Sequence, residues 1–547
     1  MATIGLDSPQ ATRVLIWAAV VFAAWAVQKL FFTKRQLLPL PPGPKGLPLV
    51  GNIRDLPPPG VPEWEHWLKH KDLYGPLSSV TALGTTMILI HDKDVALELL
   101  EKRSAKYSGR PFQRFAQETC GFAALPAFQQ NGHKFRQQRR LMAAQMGSRS
   151  SMAKFQSAIE FQVRHFLLNT MNNPEDLEAH LQRQVQNHAG EDVSDESGSL
   201  MLETLYGYTS NAKGRDPLVV LINKFMAAFN DAAVPGAWLI DVIPWLKYVP
   251  DWMPGAGFKK TARVYKKLWD DVTGVPFEFS EEQMSKGDAK PSFISGLLQQ
   301  NPTPEEREAI RDSATGLYSG GADTTVAALG FFFLAMTVFP DVQKKAREEI
   351  DRVTGGTRLP GAQDREQLPY VEATFKEALR WYTIAGMGLP HATDEEDTFR
   401  GYRIPKGSLI MPAIAWFTRD PEVYPEPEEF KPERFLGTEP APNPMAVVFG
   451  FGRRICPGRH LADANMFLVI AQSLAAFNIG KPVDKGSGKL LEPNIGILPG
   501  VVGHPMPYQS HITPRSEKHA EWVRSIEVEQ PWGEGDAELL QTMRRGA

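Results

Sequence analysis

The stretch Phe449-Gly-Phe-Gly-Arg-Arg-Ile-Cys-Pro-Gly-Arg459 decides how the rest of this chain is read. Downstream of it, Leu461, Ala464, Phe467, Leu468, Ala471, Leu474 and Ala475 recur at helical spacing, which predicts a helix over 459–477 with Cys456 just ahead of its first turn. Unpaired backbone amides at a helix N-terminus favour negative charge, so a cysteine here is placed to act as a thiolate. Gly452 and Gly458 let the backbone pass close to a bulky group, and Arg454 has the reach to meet a carboxylate on that group's rim. Together these features suit a flat metal cofactor held by one sulfur. A buried structural cysteine beside a surface arginine pair accounts for the same residues taken singly.

The spacing Phe-x-x-Gly-x-Arg-x-Cys-x-Gly, carried by Phe449, Gly452, Arg454, Cys456 and Gly458, resembles the haem-binding signature of the cytochrome P450 superfamily, the haem-thiolate monooxygenases. The resemblance implies that Cys456 is the axial iron ligand of haem b (iron protoporphyrin IX) and that Arg454 meets a haem propionate.

Further stretches follow in the family's order. Thr303-Pro-Glu-Glu306 is a capping box with proline at the first helical position, and it opens a helix that runs to about Phe339, before Pro340. At 1.5 Å per residue that helix is about 50 Å long, enough to cross a large domain. Within it lies Gly320-Gly-Ala-Asp-Thr-Thr325, where two glycines predict a ligand-facing kink and Thr324 shares a face with Gly320. Helix packing with back-bonded threonines explains this motif when it is read alone. Its order matches the family's oxygen-activation motif, which implies that Asp323 and Thr324 relay protons for O–O cleavage.

Glu377-Ala-Leu-Arg380 on a helix over 369–381, with Arg434 in Pro432-Glu-Arg-Phe435, resembles the family's Glu-Arg-Arg triad and implies a scaffold role. His133 to Leu141 resembles the helix whose Trp-x-x-x-Arg pair holds a propionate. Phe135 stands where tryptophan is usual, which removes an indole donor, and Arg139 stands at the arginine. A solvated basic helix face competes for Arg139. His391 lies where microsomal relatives place a propionate-binding residue, and a plain loop histidine competes there.

Composition sets the bounds. The chain has 547 residues, 42% hydrophobic and 22% charged, long enough for one large domain or two ordinary ones. Its 60 basic and 63 acidic residues are interspersed, which gives no electrostatic case for nucleic acid. Two cysteines, Cys120 and Cys456, point to a reducing compartment.

The apolar run from Val14 to Val27, continued at Leu30-Phe-Phe32, predicts one membrane span, with a cleaved signal peptide as the alternative. Lys29, Lys34, Arg35 and Lys45 follow the span and place the bulk of the chain in the cytosol. The organisation expected is an anchor over 1–36, a proline-rich hinge over 37–52, a catalytic domain over 53–514 and a polar tail over 515–547. Ser78 to Ile90 reads as a hairpin, and the segment after Asp92 as a helix. Pro111 to Gln130 carries scattered phenylalanines that in the family roof the substrate pocket. The aromatic, proline-broken region near 241–255 corresponds to the family's membrane-facing entrance.

The resemblance therefore implies a mainly α fold with a small β-rich lobe, preceded by a single transmembrane helix. It implies insertion of one oxygen atom from O2 into a lipophilic small molecule at the endoplasmic reticulum membrane, in contact with membrane lipid. No glycine-rich dinucleotide fingerprint or flavin module accompanies the haem domain, so electrons are expected from a separate NADPH-cytochrome P450 reductase, with cytochrome b5 as a second donor. The wording of the hinge, of Met387-Gly-Leu-Pro-His391 and of 449–462 is most like fungal oxygenases of secondary metabolism. A haem-thiolate isomerase or dehydratase, which has no need of Asp323 and Thr324, a xenobiotic-detoxifying oxygenase and a non-catalytic haem sensor are the competing readings.

Overall fold

The capping signals at Thr303 open the helix on which the rest of the molecule packs. A computed structural model describes residues 38–58, 60–185, 200–211, 216–233, 238–484 and 486–546. The membrane anchor expected over 1–36 lies outside the described residues.

The central helix, Pro304–Val338, has 35 residues. Thr303 Oγ1 accepts from the Glu306 amide at 3.3 Å, and Glu306 Oε2 accepts from the Thr303 amide at 3.2 Å, so the capping box is complete. At the other end Phe339, held out of the helical region ahead of Pro340, terminates it. The helix is continuous through Gly320 and Gly321. From Thr325 through Thr337 every residue is buried, as in a helix surrounded on all sides by protein. Its apolarity is sufficient for a membrane span, with a mean hydropathy of 1.5 over its most apolar window, and its burial identifies it as a core helix.

Around it pack helices His133–Met146, Leu177–Val185, Leu200–Tyr206, Gly257–Lys286, Pro369–Trp381 and Arg459–Ala476. They share one apolar cluster with the central helix. Pro369–Trp381 matches the sequence expectation at both ends, and Arg459–Ala476 ends one residue short of it.

The small lobe is a four-stranded sheet in the order Leu77–Ala82, Thr85–Ile90, Leu409–Pro412, His391–Ala392. The first two strands form the predicted hairpin, with Ala82 opposite Thr85. The parallel pairing of Thr85–Ile90 with Leu409–Pro412 joins segments more than 300 positions apart. Asp92 accepts from the Val95 amide at 2.8 Å and caps the helix expected after it. Phe451 and Val447, from the approach to Cys456, belong to this lobe's apolar cluster, so the small lobe buttresses the cysteine loop.

Two expectations of domain organisation meet a different arrangement. The proline-rich stretch is no free spacer in its described part: Pro42 O accepts from Ser79 N at 2.9 Å, Pro41 O from Ser79 Oγ at 2.6 Å and Pro39 O from Arg403 N at 2.8 Å. It lies along the sheet because proline carbonyls still accept although the residue cannot donate. The stretch from 515, expected as a polar tail, forms helices Glu517–Glu529 and Ala537–Gly546. Val523, Ile526 and Leu540 are buried in the main cluster, and the Trp532 ring packs on His165 at 4.0 Å.

Candidate active site

Cys456 sits between a 3-10 turn, Gly452–Arg454, and the first turn of Arg459–Ala476. Its amide donates to Phe449 O at 2.8 Å, which closes the loop. Gly452 has a positive φ of 52°, and a Cβ there would lie 2.3 Å from Leu100 O, so this tight passage under the small lobe requires glycine. A Cβ on Gly458 would stand 4.0 Å from the cysteine sulfur, in the space beside it. Enclosure pushes the thiol pKa up, while the Gly458 and Arg459 amides and the Arg139 and Arg459 charges pull it down. The sequence reading anticipated the amides and not the burial that opposes them.

Four basic side chains converge beside this loop. Arg454 donates to the carbonyls of Ser108 at 2.8 Å, Pro126 at 3.0 Å and Gln129, and its guanidinium lies over the Phe135 ring at 3.7 Å. Phe135, unable to donate as an indole would, thus serves as an aromatic platform for the arginine. Arg110 donates to Leu389 O at 2.9 Å and Pro390 O at 2.7 Å, and its Nε is buried without a partner. His391, on its strand, has Nδ1 2.7 Å from Tyr107 O. Arg139 is half-buried and acts electrostatically on Cys456.

Burial and mutual repulsion depress this whole set. Arg454 is pulled down to about 8 by burial and by Arg110 and Arg139. Burial pulls Arg110 down to about 10. Burial and Arg110 pull His391 down to about 3. None of the four has an ion pair with a carboxylate among the described residues. Buried cations left without acids are costly, and a ligand bringing carboxylates would relieve that cost. The residues therefore fit a haem, whose edge carries two propionates. Arg110 was not anticipated: it precedes Pro111 in a loop, and no spacing ties it to the cysteine signature.

On the central helix, Gly320 is exposed, and a Cβ there would meet no heavy atom within 4 Å, so this turn faces open space. Thr324, on the same face, donates its hydroxyl to Gly320 O at 2.8 Å. Asp323 pairs with His504 Nε2 at 3.1 Å, a partner outside the sequence reading.

The triad residues come together farther out. Glu377 and Arg380 are fully buried and doubly bonded, at 2.7 and 2.9 Å, and Arg434 Nε reaches Glu377 Oε1 at 3.2 Å. The remaining guanidinium hydrogens of Arg380 go to the carbonyls of Thr418, Pro427 and Glu429. Within 111–130, Phe115 stacks on Trp238 at 3.6 Å, and its amide donates to Asp241 Oδ1 at 2.9 Å. Phe122 packs with Phe225 and Trp269. The aromatics of 111–130 are thus largely core, with Phe112 exposed.

The cytochrome P450 family model matches residues 41–509. The chain is a cytochrome P450. Its fold is the mainly helical P450 fold with small sheet regions, and membership implies a haem iron cofactor, O2, a redox partner and a small-molecule substrate.

This P450 is 41% identical over 531 residues to the cytochrome P450 monooxygenase CLM2 of Gibberella zeae, across 95% of this chain and 98% of the relative. It is 39% identical to the multifunctional cytochrome P450 monooxygenase af510 of Aspergillus fumigatus, across 96% and 97%. With the O-methylsterigmatocystin oxidoreductase of Aspergillus flavus it shares 38% identity, again across 96% and 97%. It is a P450 monooxygenase, as CLM2 and af510 are.

Proposed function

We propose that this P450 is a membrane-anchored haem b monooxygenase of fungal secondary metabolism, which inserts one oxygen atom of O2 into a lipophilic small molecule. The observation that carries the cofactor site is the buried cluster of Arg110, Arg139 and Arg454, with a neutral His391, beside Cys456: three guanidiniums with no carboxylate ion pair among the described residues. The secondary-metabolite class rests on the similarity to enzymes such as the O-methylsterigmatocystin oxidoreductase.

In this reading the Cys456 sulfur would ligate the iron, with Phe449, Gly452 and Gly458 shaping its loop, and Arg454, Arg139, His391 and Arg110 would hold the propionates. Haem bound there supplies an oxygen-activating iron whose thiolate ligand donates electron density and favours O–O cleavage. Asp323 and Thr324 move protons on the opposite side. The Thr324 hydroxyl donates to Gly320 O, so it would turn that O–H toward the reacting group to give its proton up, while a proton from Asp323 arrives on its lone pair. Glu377, Arg380 and Arg434 hold the frame of the cysteine loop.

Trp245, Tyr248 and Trp252 are between 75% and 81% exposed on one short segment beside Lys247, a composition suited to a lipid interface. That patch supports attachment to a membrane, which we take to be the endoplasmic reticulum with the catalytic domain cytosolic. Electrons would come from NADPH through a separate P450 reductase docking on the Cys456 side, where Arg453 is exposed, and cytochrome b5 would be a second donor.

The carbon monoxide difference spectrum of reduced membranes tests the reading without a known substrate. A strongly red-shifted thiolate-type Soret band, lost in Cys456→Ser, is expected. Its absence from folded, haem-loaded protein would remove Cys456 as ligand and the oxygenase reading with it.

A further inference from the structure

The last hairpin of the domain brings a histidine to the oxygen-side acid. Ile497–Leu498 pairs antiparallel with His504–Pro505, with Leu498 opposite His504. The Gly503 amide donates to Ile384 O at 2.7 Å, and Pro505 packs against Gly330 of the central helix, where a Cβ would stand 3.1 Å from the proline ring. Backbone pairing and packing thus fix His504 on both sides. From this position its Nε2 lies 3.1 Å from Asp323 Oδ1, with the two side chains 28% and 31% exposed.

We propose that His504 is the positioning residue for Asp323, holding its carboxylate through Nε2 and supplying it with protons. This rests on the reading of Asp323 and Thr324 as the proton path. The step balances simply: the Nε2 proton moves to Oδ1, leaving a neutral imidazole and a carboxylic acid. Solvent, which reaches His504, then returns a proton to the ring, and Asp323 passes its own proton on to Thr324.

The charges around His504 favour this role. Asp323 on the central helix and Glu178 on Leu177–Val185 both face it and both stabilise its imidazolium, against the opposing effect of burial. The net direction is upward from the ordinary value of 6.5, so the ring is charged nearer to neutral pH than a free histidine. A group with a pKa close to the working pH is the effective one for proton transfer.

Two measurements on the full-length haem protein test the proposal. The first is an NMR titration of the histidine-labelled ferrous carbon monoxide form. The His504 resonance, assigned by its loss in His504→Gln, should titrate above the ordinary value, and Asp323→Asn should return it toward 6.5. A His504 pKa that ignores Asp323→Asn overturns the pairing.

The second is NADPH-driven oxygen consumption with a P450 reductase, followed against pH without added substrate. His504→Gln should keep the thiolate spectrum, slow consumption several-fold and abolish the alkaline decline that tracks the histidine. His504→Lys should restore the grip on Asp323 without restoring that decline, because an amine holds its proton far above neutral pH. A native-like profile in His504→Gln or His504→Lys overturns proton supply by His504. If Asp323→Asn slows consumption while His504→Gln does not, only this proposal fails. If neither changes, the reading of Asp323 fails too.

Discussion

Glu377, Arg380 and Arg434 on one side, and Arg110, Arg139, His391 and Arg454 on the other, are two ways of placing charge inside the same protein. The triad is complete in itself: a fully buried carboxylate bonded to two arginines, with the spare donors spent on backbone carbonyls. The basic cluster forms no carboxylate ion pair among the described residues, has its basic groups depressed by burial and carries an orphaned Arg110 Nε. The difference separates a frame, whose electrostatics close within the chain, from a receptor, whose electrostatics close on an anionic ligand.

Breaking the frame gives the largest effect. Glu377→Ala leaves Arg380 buried without its acid, and the expected loss is about 3–5 kcal/mol of stability. Thermal unfolding and the yield of haem-loaded protein measure it.

The receptor should respond with the opposite sign in its unloaded state. Arg110→Met removes a buried, incompletely bonded cation, so apo-protein prepared by haem extraction should unfold at the same or a higher temperature than native apo-protein. The same variant should release haem faster, because a charged hydrogen bond contributes about 1.5–3 kcal/mol. Transfer of haem to a scavenger protein gives the rate. An apo-protein destabilised as severely as Glu377→Ala would erase the distinction between frame and receptor.

Acid pH sharpens the comparison at His391. Its folded pKa of about 3 lies below the ordinary 6.5. Above 6.5 neither state binds the proton, so this contribution is fully present there. As pH falls through 6.5 the unfolded chain takes the proton first, and stability is lost down to about 3, at no more than about 1.4 kcal/mol per pH unit. His391→Asn should flatten that acid limb in equilibrium unfolding of the apo-protein.

Thr324→Ala should have the smallest structural effect, under about 1 kcal/mol, because it removes one back-bond to a carbonyl that keeps its helix partner. The thiolate spectrum should persist while peroxide release per NADPH rises several-fold. Unchanged coupling would take Thr324 out of the proton path.

Local signals were legible in the sequence. The capping box at Thr303, the prolines at 304 and 340 and the apolar period after Arg459 fix their helices to within a residue, because caps and periodicity act over one or two turns. Glu377 and Arg380 were readable for the same reason, standing one turn apart on a single helix. What escaped was the long-range part. Arg110 and His504 gain meaning only when loops hundreds of residues apart meet Arg454 and Asp323. The region after 515 was misjudged by its overall polarity. Ala520, Val523 and Ile526 already recur every third residue there, and that stripe is what the helix buries.

That buried stripe also governs how the protein is made. Val523, Ile526 and Leu540 belong to the same apolar cluster as Phe166 and Leu317, so the core cannot close until residue 540 has left the ribosome. Folding of the large lobe therefore waits for these two helices, and a nascent chain stalled before them presents an open apolar face to chaperones.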